Sequence, residues 1–161
     1  MSANQSPAQN LLQIWKNLSS YPGGKQLFSL LLKWRIPYSG SIGATVMSMQ
    51  PGHARLRLRD KRSIRNHLNS IHAIALTNLG ELTSGLALNM GLPCDARGIV
   101  LDISTEYFKK ARGTLIADSQ CIIPTIKGEM DYYVEADIRD EQHDKVASVR
   151  VKWRLKSMAA L

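Results

Sequence analysis

The sequence contains no aspartate or glutamate before Asp60, although lysines and arginines occur throughout that part of the chain. The full 161 residues carry a formal net charge of +8. The first part of the molecule should therefore present a positive field to an anionic partner, such as nucleic acid, an acidic membrane surface or a phosphate-rich cofactor. Net charge alone does not choose among these partners.

Other absences narrow the class of protein. Cysteine occurs only at Cys94 and Cys121, without a CxxC pair, which favours a reduced, cytoplasmic compartment. No apolar run reaches the roughly 18 residues that span a bilayer, and the N-terminal residues lack the pattern of a secretion signal. The four histidines have no carboxylate or cysteine partners at ligand spacing, so no metal site is predicted. Aromatic residues are not interleaved with the basic ones, which argues against nucleic-acid binding.

Hydrophobic periodicity predicts an α+β protein in which an antiparallel sheet wraps around one central apolar helix. The length fits a helical extension over residues 1–40 followed by a single domain over residues 41–161. The predicted helices cover residues 8–20, 25–34 and 71–90, and the predicted strands cover residues 42–49, 53–59, 98–108, 113–123, 129–140 and 145–156.

A lone carboxylate, Glu81, lies in the middle of the apolar helix predicted over residues 71–90. Burying a carboxylate costs free energy unless it is paired, hydrogen-bonded or solvated. Thr77 and Asn78 lie one helical turn before it and Ser84 one turn after it, so they form a polar stripe. Glu81 is therefore either a structural carboxylate hydrogen-bonded by this stripe, or a general base or nucleophile made more basic by desolvation.

The start of the same helix offers a second candidate group. With Ser70 as the predicted N-cap, the backbone N–H groups near Ala73 and Ile74 are unpaired and lie at the positive end of the helix dipole. They would form an oxyanion hole for a carbonyl substrate, with His72 and Asn66 beside it. A carboxylate more than two turns further along the helix could share that cleft if a second subunit closes it.

Asn66, six residues before His72, and Glu81, nine residues after it, resemble the pattern at the central helix of hot-dog fold acyl-CoA thioesterases. The likeness is greatest to the phenylacetyl-CoA thioesterase-like group. The segment from Tyr107 into TLIADSQC and the segment KVASVRVKW are similar to the long strands of that family. The resemblance covers residues 42–156 and implies a hot-dog domain with two extra N-terminal helices and an unassigned substrate.

The resemblance implies a hydrolase that cleaves acyl-CoA or acyl-carrier thioesters, with coenzyme A as part of the substrate and no resident cofactor. In this scheme Glu81 activates the attacking water or attacks the carbonyl directly, and the Ala73 N–H polarises that carbonyl. His72 supports the loop geometry, and Asn66 orients the water or the thioester. The family's sites lie between two chains, which implies an obligate homodimer or a tetramer, with Asn66 and His72 of one chain meeting Glu81 of the other.

The sequence departs from the family pattern in three ways. Ala73 and Ile74 replace a Gly-Gly pair, which leaves a thioester less room to approach the backbone. Ser70 stands where glycine is common, and Glu81 replaces an aspartate. The first departure keeps open a second function, namely a non-catalytic protein that binds acyl-CoA or another acyl ligand. A hydratase or dehydratase ranks last, since its His–acid pattern is not found.

Two basic regions remain open to more than one interpretation. The run RLRLRDKRSIR is either a solvated strand face and loop or a landing site for the phosphates of coenzyme A, with Arg62 and Arg65 nearest the site. The N-terminal helices carry Trp15 and Trp34 among lysines. We expect them to pack over the sheet or cap the acyl pocket, with a membrane surface as the alternative.

Overall fold

A computed structural model describes residues 7–157 and has the predicted order of helices and strands. Within these residues the elements are α1 (Pro7–Leu18), α2 (Gly24–Arg35), α3 (Pro37–Gly40), β1 (Thr45–Gln50), β2 (His53–Arg59), α4 (Ala73–Asn89), β3 (Ala96–Tyr107), β4 (Thr114–Gln120), β5 (Glu129–Arg139) and β6 (Lys145–Ser157). A short 3-10 helix, Arg62–Ile64, lies in the loop between β2 and α4.

The strands form one antiparallel sheet in the order β1-β2-β4-β5-β6-β3, and α4 packs across it. Leu76, Thr83 and Ala87, which lie on the same face of α4 as Gly80, are buried. A Cβ atom at Gly80 would lie only 2.3 Å from the Val149 side chain, so glycine allows the helix to approach β6 closely. A sheet wrapped around one apolar helix is the hot-dog arrangement, which confirms the predicted fold class.

The two edges of the sheet differ. Helix α2 covers the β1 edge, where the Lys25 Nζ donates to the Met47 carbonyl at 2.8 Å and the Ser29 hydroxyl accepts the Val46 N–H at 2.9 Å. The opposite edge, β3, has no neighbouring strand on its outer side among the described residues. In addition to these unpaired backbone groups, the edge exposes three apolar side chains, which are those of Ile99, Leu101 and Ile103. An uncovered apolar edge is suited to pairing with another strand.

Helices α1 and α2 pack on each other and on β1, and the short α3 contacts α4. The buried rings of Trp15 and Phe28 meet edge to face, with their centroids 5.0 Å apart. Helix α3 is not among the predicted helices; Pro37 occupies its first position, which proline suits. No helix among residues 7–157 is long and apolar enough to cross a membrane.

Candidate active site

Asn66 fixes the shape of the loop that precedes α4. Its Oδ1 accepts hydrogen bonds from the Leu68 N–H at 2.9 Å and from the N–H and hydroxyl of Ser70 at 3.2 and 3.1 Å. The Asn66 N–H donates to the Ser70 carbonyl at 2.8 Å, which closes a small hairpin. The side-chain carbonyl is therefore committed to the loop. Its Nδ2 group has no acceptor among the described residues and is the end that can meet a ligand.

His72 caps the N-terminus of α4, so the prediction of Ser70 as the cap is wrong. The Ser70 hydroxyl is turned to Asn66 instead, and Ser70 lies three residues before the helix begins at Ala73. His72 has an extended backbone, with φ −63° and ψ 139°, and its Nδ1 accepts the Ile74 N–H at 3.1 Å. Its own N–H donates to the Ile64 carbonyl at 2.8 Å, which ties the cap to the preceding 3-10 turn.

The Ala73 N–H is the unpaired donor that this cap leaves free. The Ile74 N–H is used by His72 Nδ1, and the Ala75 N–H donates to the His72 carbonyl at 2.9 Å. The Ala73 N–H has no acceptor among residues 7–157, and the residue is partly exposed. It lies at the positive end of a 17-residue helix, where developing negative charge on an oxygen is stabilised. The predicted pair of free donors is thus narrowed to Ala73 alone.

A cluster of hydroxyl groups lies beside this donor and was not predicted as part of the site. The Thr77 Oγ1 lies 2.9 Å from both the Thr105 Oγ1 and the Tyr107 Oη, and the Tyr107 hydroxyl donates to the Ala73 carbonyl at 3.1 Å. Strand β3 brings Thr105 and Tyr107 to one face because they are two residues apart. The cluster fixes the first turn of α4 to β3 and adds polar groups next to the free N–H.

Glu81 lies on the partly exposed face of α4. Burial raises the pKa of its carboxyl above the ordinary value, and the nearby Ser39 hydroxyl offsets part of that rise. No ion pair to Glu81 exists among residues 7–157. The polar stripe does not hold the carboxylate: the Ser84 hydroxyl donates to the Glu81 backbone carbonyl at 2.9 Å, and Thr77 is bonded elsewhere. A desolvated carboxylate that has no cationic partner is suited to accepting a proton.

A cavity of about 890 Å³ opens beside Glu81. Side chains from α1, α2, α4 and β6 and from the ends of α2 and α4 line it, and most of them are apolar: Leu11, Ile14, Leu31, Leu32, Ile36, Leu82, Leu86, Met90 and Trp153. Ser39 and Asn89 supply polar atoms on its wall. The N-terminal helices therefore wall a space that can take an apolar chain, with the carboxylate at its side.

A single chain does not bring the free N–H and the carboxylate together. Eight residues separate Ala73 from Glu81, which corresponds to about 12 Å along the helix axis. Ile74, Asn78, Glu81 and Gly85 follow one another at spacings of four, three and four residues, so they share one face of α4. The Asn78 Oδ1 on this face is buried and has no hydrogen-bond partner. Both candidate groups thus lie on the same side of the helix, but too far apart to act on one bond.

The two arginines predicted to contact coenzyme A differ in their surroundings. Arg65 forms an ion pair with Asp60, with its Nε 2.7 Å from the carboxylate. Arg62 is exposed in the 3-10 turn and forms no ion pair among the described residues. Both lie on the loop that leads to His72. Of the two, Arg62 is the cation that is available to a phosphate.

Comparison with known proteins identifies relatives with the same architecture. A family model described as a domain of unknown function, DUF4442, matches residues 24–155. A protein of Halobacterium salinarum that bears the name "putative esterase" is 28% identical over 122 residues, which are 71% of this chain and 81% of that protein. The family match begins at the first residue of α2, so the second helix and the hot-dog domain are matched together.

Two crystal structures support the fold. A Pseudomonas aeruginosa protein of unknown function, described as a probable thioesterase, superposes with a TM-score of 0.73 at 24% identity, over 85% of this chain and 97% of that one. A hypothetical thioesterase of Streptococcus pneumoniae, determined with coenzyme A, superposes with a TM-score of 0.61 at 18% identity, over 73% and 88% of the two chains. At these identities the likeness shows the hot-dog fold.

Proposed function

Since the chain belongs to the DUF4442 family and has the hot-dog fold, we propose that it hydrolyses acyl-CoA or acyl-carrier thioesters. The observation that carries the proposal is Glu81. Its carboxyl group forms no ion pair among residues 7–157, its pKa is raised by burial, and it lines an apolar cavity. An unpaired N–H, that of Ala73, starts the same helix. A base beside an acyl-sized space and a donor for a carbonyl oxygen are the two parts that thioester hydrolysis needs.

The proposed active unit is a homodimer formed through β3. Pairing of two β3 edges would cover the exposed Ile99 and Ile103 and continue the sheet. The partly exposed faces of the two α4 helices would then run antiparallel to each other. A two-fold axis near Thr77, midway between Ala73 and Glu81, would bring the N–H of one chain next to the carboxylate of the other.

The proposed reaction follows from that pairing. The thioester carbonyl oxygen accepts the Ala73 N–H, and Glu81 of the other chain takes a proton from a water molecule that attacks the carbonyl carbon. The C–S bond then breaks, the thiolate leaves as coenzyme A or carrier thiol, and the proton held by Glu81 passes to the sulfur. Direct attack by Glu81 would instead give a mixed anhydride that water opens. A single turnover in ¹⁸O water identifies direct attack if water opens the anhydride at the Glu81 carbonyl carbon, because the label then enters the Glu81 side chain and an unlabelled Glu81 oxygen leaves with the acid. General-base catalysis places the label only in the acid.

The proposed role of Arg62 is to bind the phosphates of coenzyme A from the loop before His72. Changing Arg62 to alanine should raise KM for acyl-CoA but not for the same acyl group on N-acetylcysteamine, which has no phosphates. Lys127→Ala, which removes an exposed cation from the β4–β5 loop, is the control and should change neither KM. Equal effects on both substrates would assign Arg62 a structural role.

The decisive test is thiol release from short, medium, long and aromatic acyl-CoAs. Glu81→Gln should lower kcat by about 10²- to 10⁴-fold, the range for removing a general base. Glu135→Gln is the matched control, because Glu135 lies on the outer face of β5 with only a 3.5 Å ion pair to Arg150. Full turnover by Glu81→Gln would refute the proposed role of the carboxylate.

A second candidate function, non-catalytic binding of an acyl ligand, is favoured by Ile74. This side chain is 57% exposed and stands next to the Ala73 N–H, where it restricts access to the backbone. The two functions predict different behaviour of Ile74→Gly. If Ile74 blocks the site, wild-type protein binds acyl-CoA in calorimetry without cleaving it, and the glycine variant gains turnover. If the protein is a hydrolase, the wild type already turns over.

A further inference from the structure

Helix α2 carries an apolar stripe that faces solvent. Leu27, Leu30, Leu31 and Trp34 recur at the three- and four-residue spacing that keeps side chains on one helix face. Trp34 is 80% exposed and Leu30 is 62% exposed, and Leu27 and Leu31 are also exposed. Tyr38, in the following α3, extends the apolar surface. We call these five residues the α2 patch. Contiguous exposed apolar residues of this size mark a surface that contacts a partner.

Cations border the α2 patch on both sides. Lys33 and Arg35 are the immediate neighbours of Trp34, so they project about 100° to either side of it around the helix. Neither forms an ion pair among residues 7–157. The sequence supplies no acidic residue before Asp60 that could neutralise this part of the molecule locally. The patch therefore combines apolar contact area with bordering cations that form no ion pair among residues 7–157.

This combination matches the surface of an anionic bilayer. Helices that lie in a membrane interface bury leucines below the headgroups, hold tryptophan and tyrosine at headgroup depth, and extend lysine and arginine toward lipid phosphates. The α2 patch has leucines, a tryptophan and a tyrosine in that arrangement, and Lys33 and Arg35 at its borders supply the cations. A protein partner would need acidic groups placed opposite both Lys33 and Arg35, whereas an anionic bilayer provides negative charge on every side.

We propose that the α2 patch docks the protein on the surface of a membrane that contains anionic phospholipid. Leu31 and Trp34 also line the wall of the cavity beside Glu81. Docking through the patch would therefore turn this wall toward the lipid phase, where long acyl chains partition. The docking depends on α2 and its charges alone, so it stands whether or not the thioesterase proposal holds.

Trp34 supplies a built-in reporter for the test. The other two tryptophans, Trp15 and Trp153, are only 6% and 4% exposed, so a change in solvent contact should come from Trp34. The full-length protein is mixed with vesicles of 30% phosphatidylglycerol in phosphatidylcholine and with vesicles of phosphatidylcholine alone. We expect a blue shift of emission and quenching by brominated lipid only with the anionic vesicles, and we expect both to weaken as salt rises. The Trp34→Phe variant should still sediment with the vesicles but lose the shift.

Variants of the patch identify the contact. A double variant that combines Leu30→Ala with Trp34→Ala should lower the partition coefficient for anionic vesicles by about tenfold or more, because each substitution removes a large apolar side chain from the interface. Ile122→Ala is the matched control, since Ile122 is 83% exposed but lies outside the patch in the β4–β5 loop, and it should bind as the wild type does. Circular dichroism verifies that each variant is folded.

Three outcomes would overturn the proposal. Folded protein that does not sediment with anionic vesicles at low salt excludes docking. Equal binding to both kinds of vesicle excludes the role of the cations. A patch variant that changes the molar mass in light scattering, while vesicle binding is absent in every form, shows that a second copy of the chain covers the patch instead of lipid.

Discussion

Replacing Ala73 with proline should remove the proposed oxyanion donor with little other change to the protein. Proline lacks the backbone N–H, and this N–H has no acceptor among residues 7–157. Position 73 is the first residue of α4, where proline is favoured. The preceding residue must be extended before proline, and His72 already has ψ 139°. The substitution therefore deletes one donor and leaves the cap and helix in place.

The expected size of the effect follows from what is lost and what is kept. Removing one oxyanion-hole donor costs about 10²- to 10³-fold in kcat, or roughly 2.7–4 kcal/mol of transition-state stabilisation. The stability should change little or rise by about 0.4–1 kcal/mol, because no native hydrogen bond is lost and the unfolded chain is stiffened. A large drop in activity with unchanged stability is not what a general structural defect produces.

The assay compares thiol release with thermal unfolding in the same preparations. Ala73→Gly is the matched control: it keeps the N–H and also restores the smaller residue found in the resembled family, so it should retain turnover. The reasoning is refuted if Ala73→Pro hydrolyses acyl-CoA as fast as the wild type while unfolding at the same temperature. In that case the carbonyl is polarised elsewhere, and the Tyr107 hydroxyl becomes the next candidate.

The remaining predictions concern stability and assembly. Burial raises the pKa of Glu81, so the charged carboxylate is disfavoured in the folded state. The free energy of unfolding therefore falls as the pH rises from the pKa of the unfolded chain through that of the folded chain. Glu81→Gln should raise Tm at pH 8 and have little effect at pH 4 in calorimetry. Gly80→Ala should lower the free energy of unfolding, measured by urea titration, by about 1–3 kcal/mol, because the new Cβ atom would meet Val149. An unchanged midpoint of unfolding would mean that α4 can shift to make room. If the proposed dimer forms through β3, Ile103→Lys should give monomers in sedimentation and abolish turnover, whereas dimers that persist would exclude β3 as the interface.

Most of the fold could be predicted from the sequence because the hydrophobic periodicity of its helices and strands is clear. HARLRLR alternates strictly and forms β2, and the long apolar run with Glu81 in it forms α4. Besides the absence of α3 from the prediction, the N-cap of α4 was wrong: serine is a common N-cap, but here the Asn66 side chain already binds Ser70, and His72 caps the helix instead. Such competition between local hydrogen-bond partners is not visible in residue spacing.

The candidate site was predictable only in part, because some of its contacts join residues that are far apart in the sequence. Asn66, His72, Ala73 and Glu81 stand within one short segment, and local helix geometry is enough to single them out. The contact between Thr77 and Tyr107 joins residues 30 apart in sequence, which depends on how β3 crosses α4. A polar residue at a helix or strand position carries no signal of such a partner.

The distance along α4 determines how the proposed site must be divided. Because Ala73 and Glu81 are about 12 Å apart in one chain, a two-fold dimer would pair Ala73 of each chain with Glu81 of the other. A heterodimer of an Ala73→Pro chain and a Glu81→Gln chain then has one site with both defects and one site with neither. It should recover about half of the wild-type activity, although both parent homodimers are inactive. Were each site built within one chain, every site of the heterodimer would carry a defect, and mixing the differently tagged chains would restore nothing.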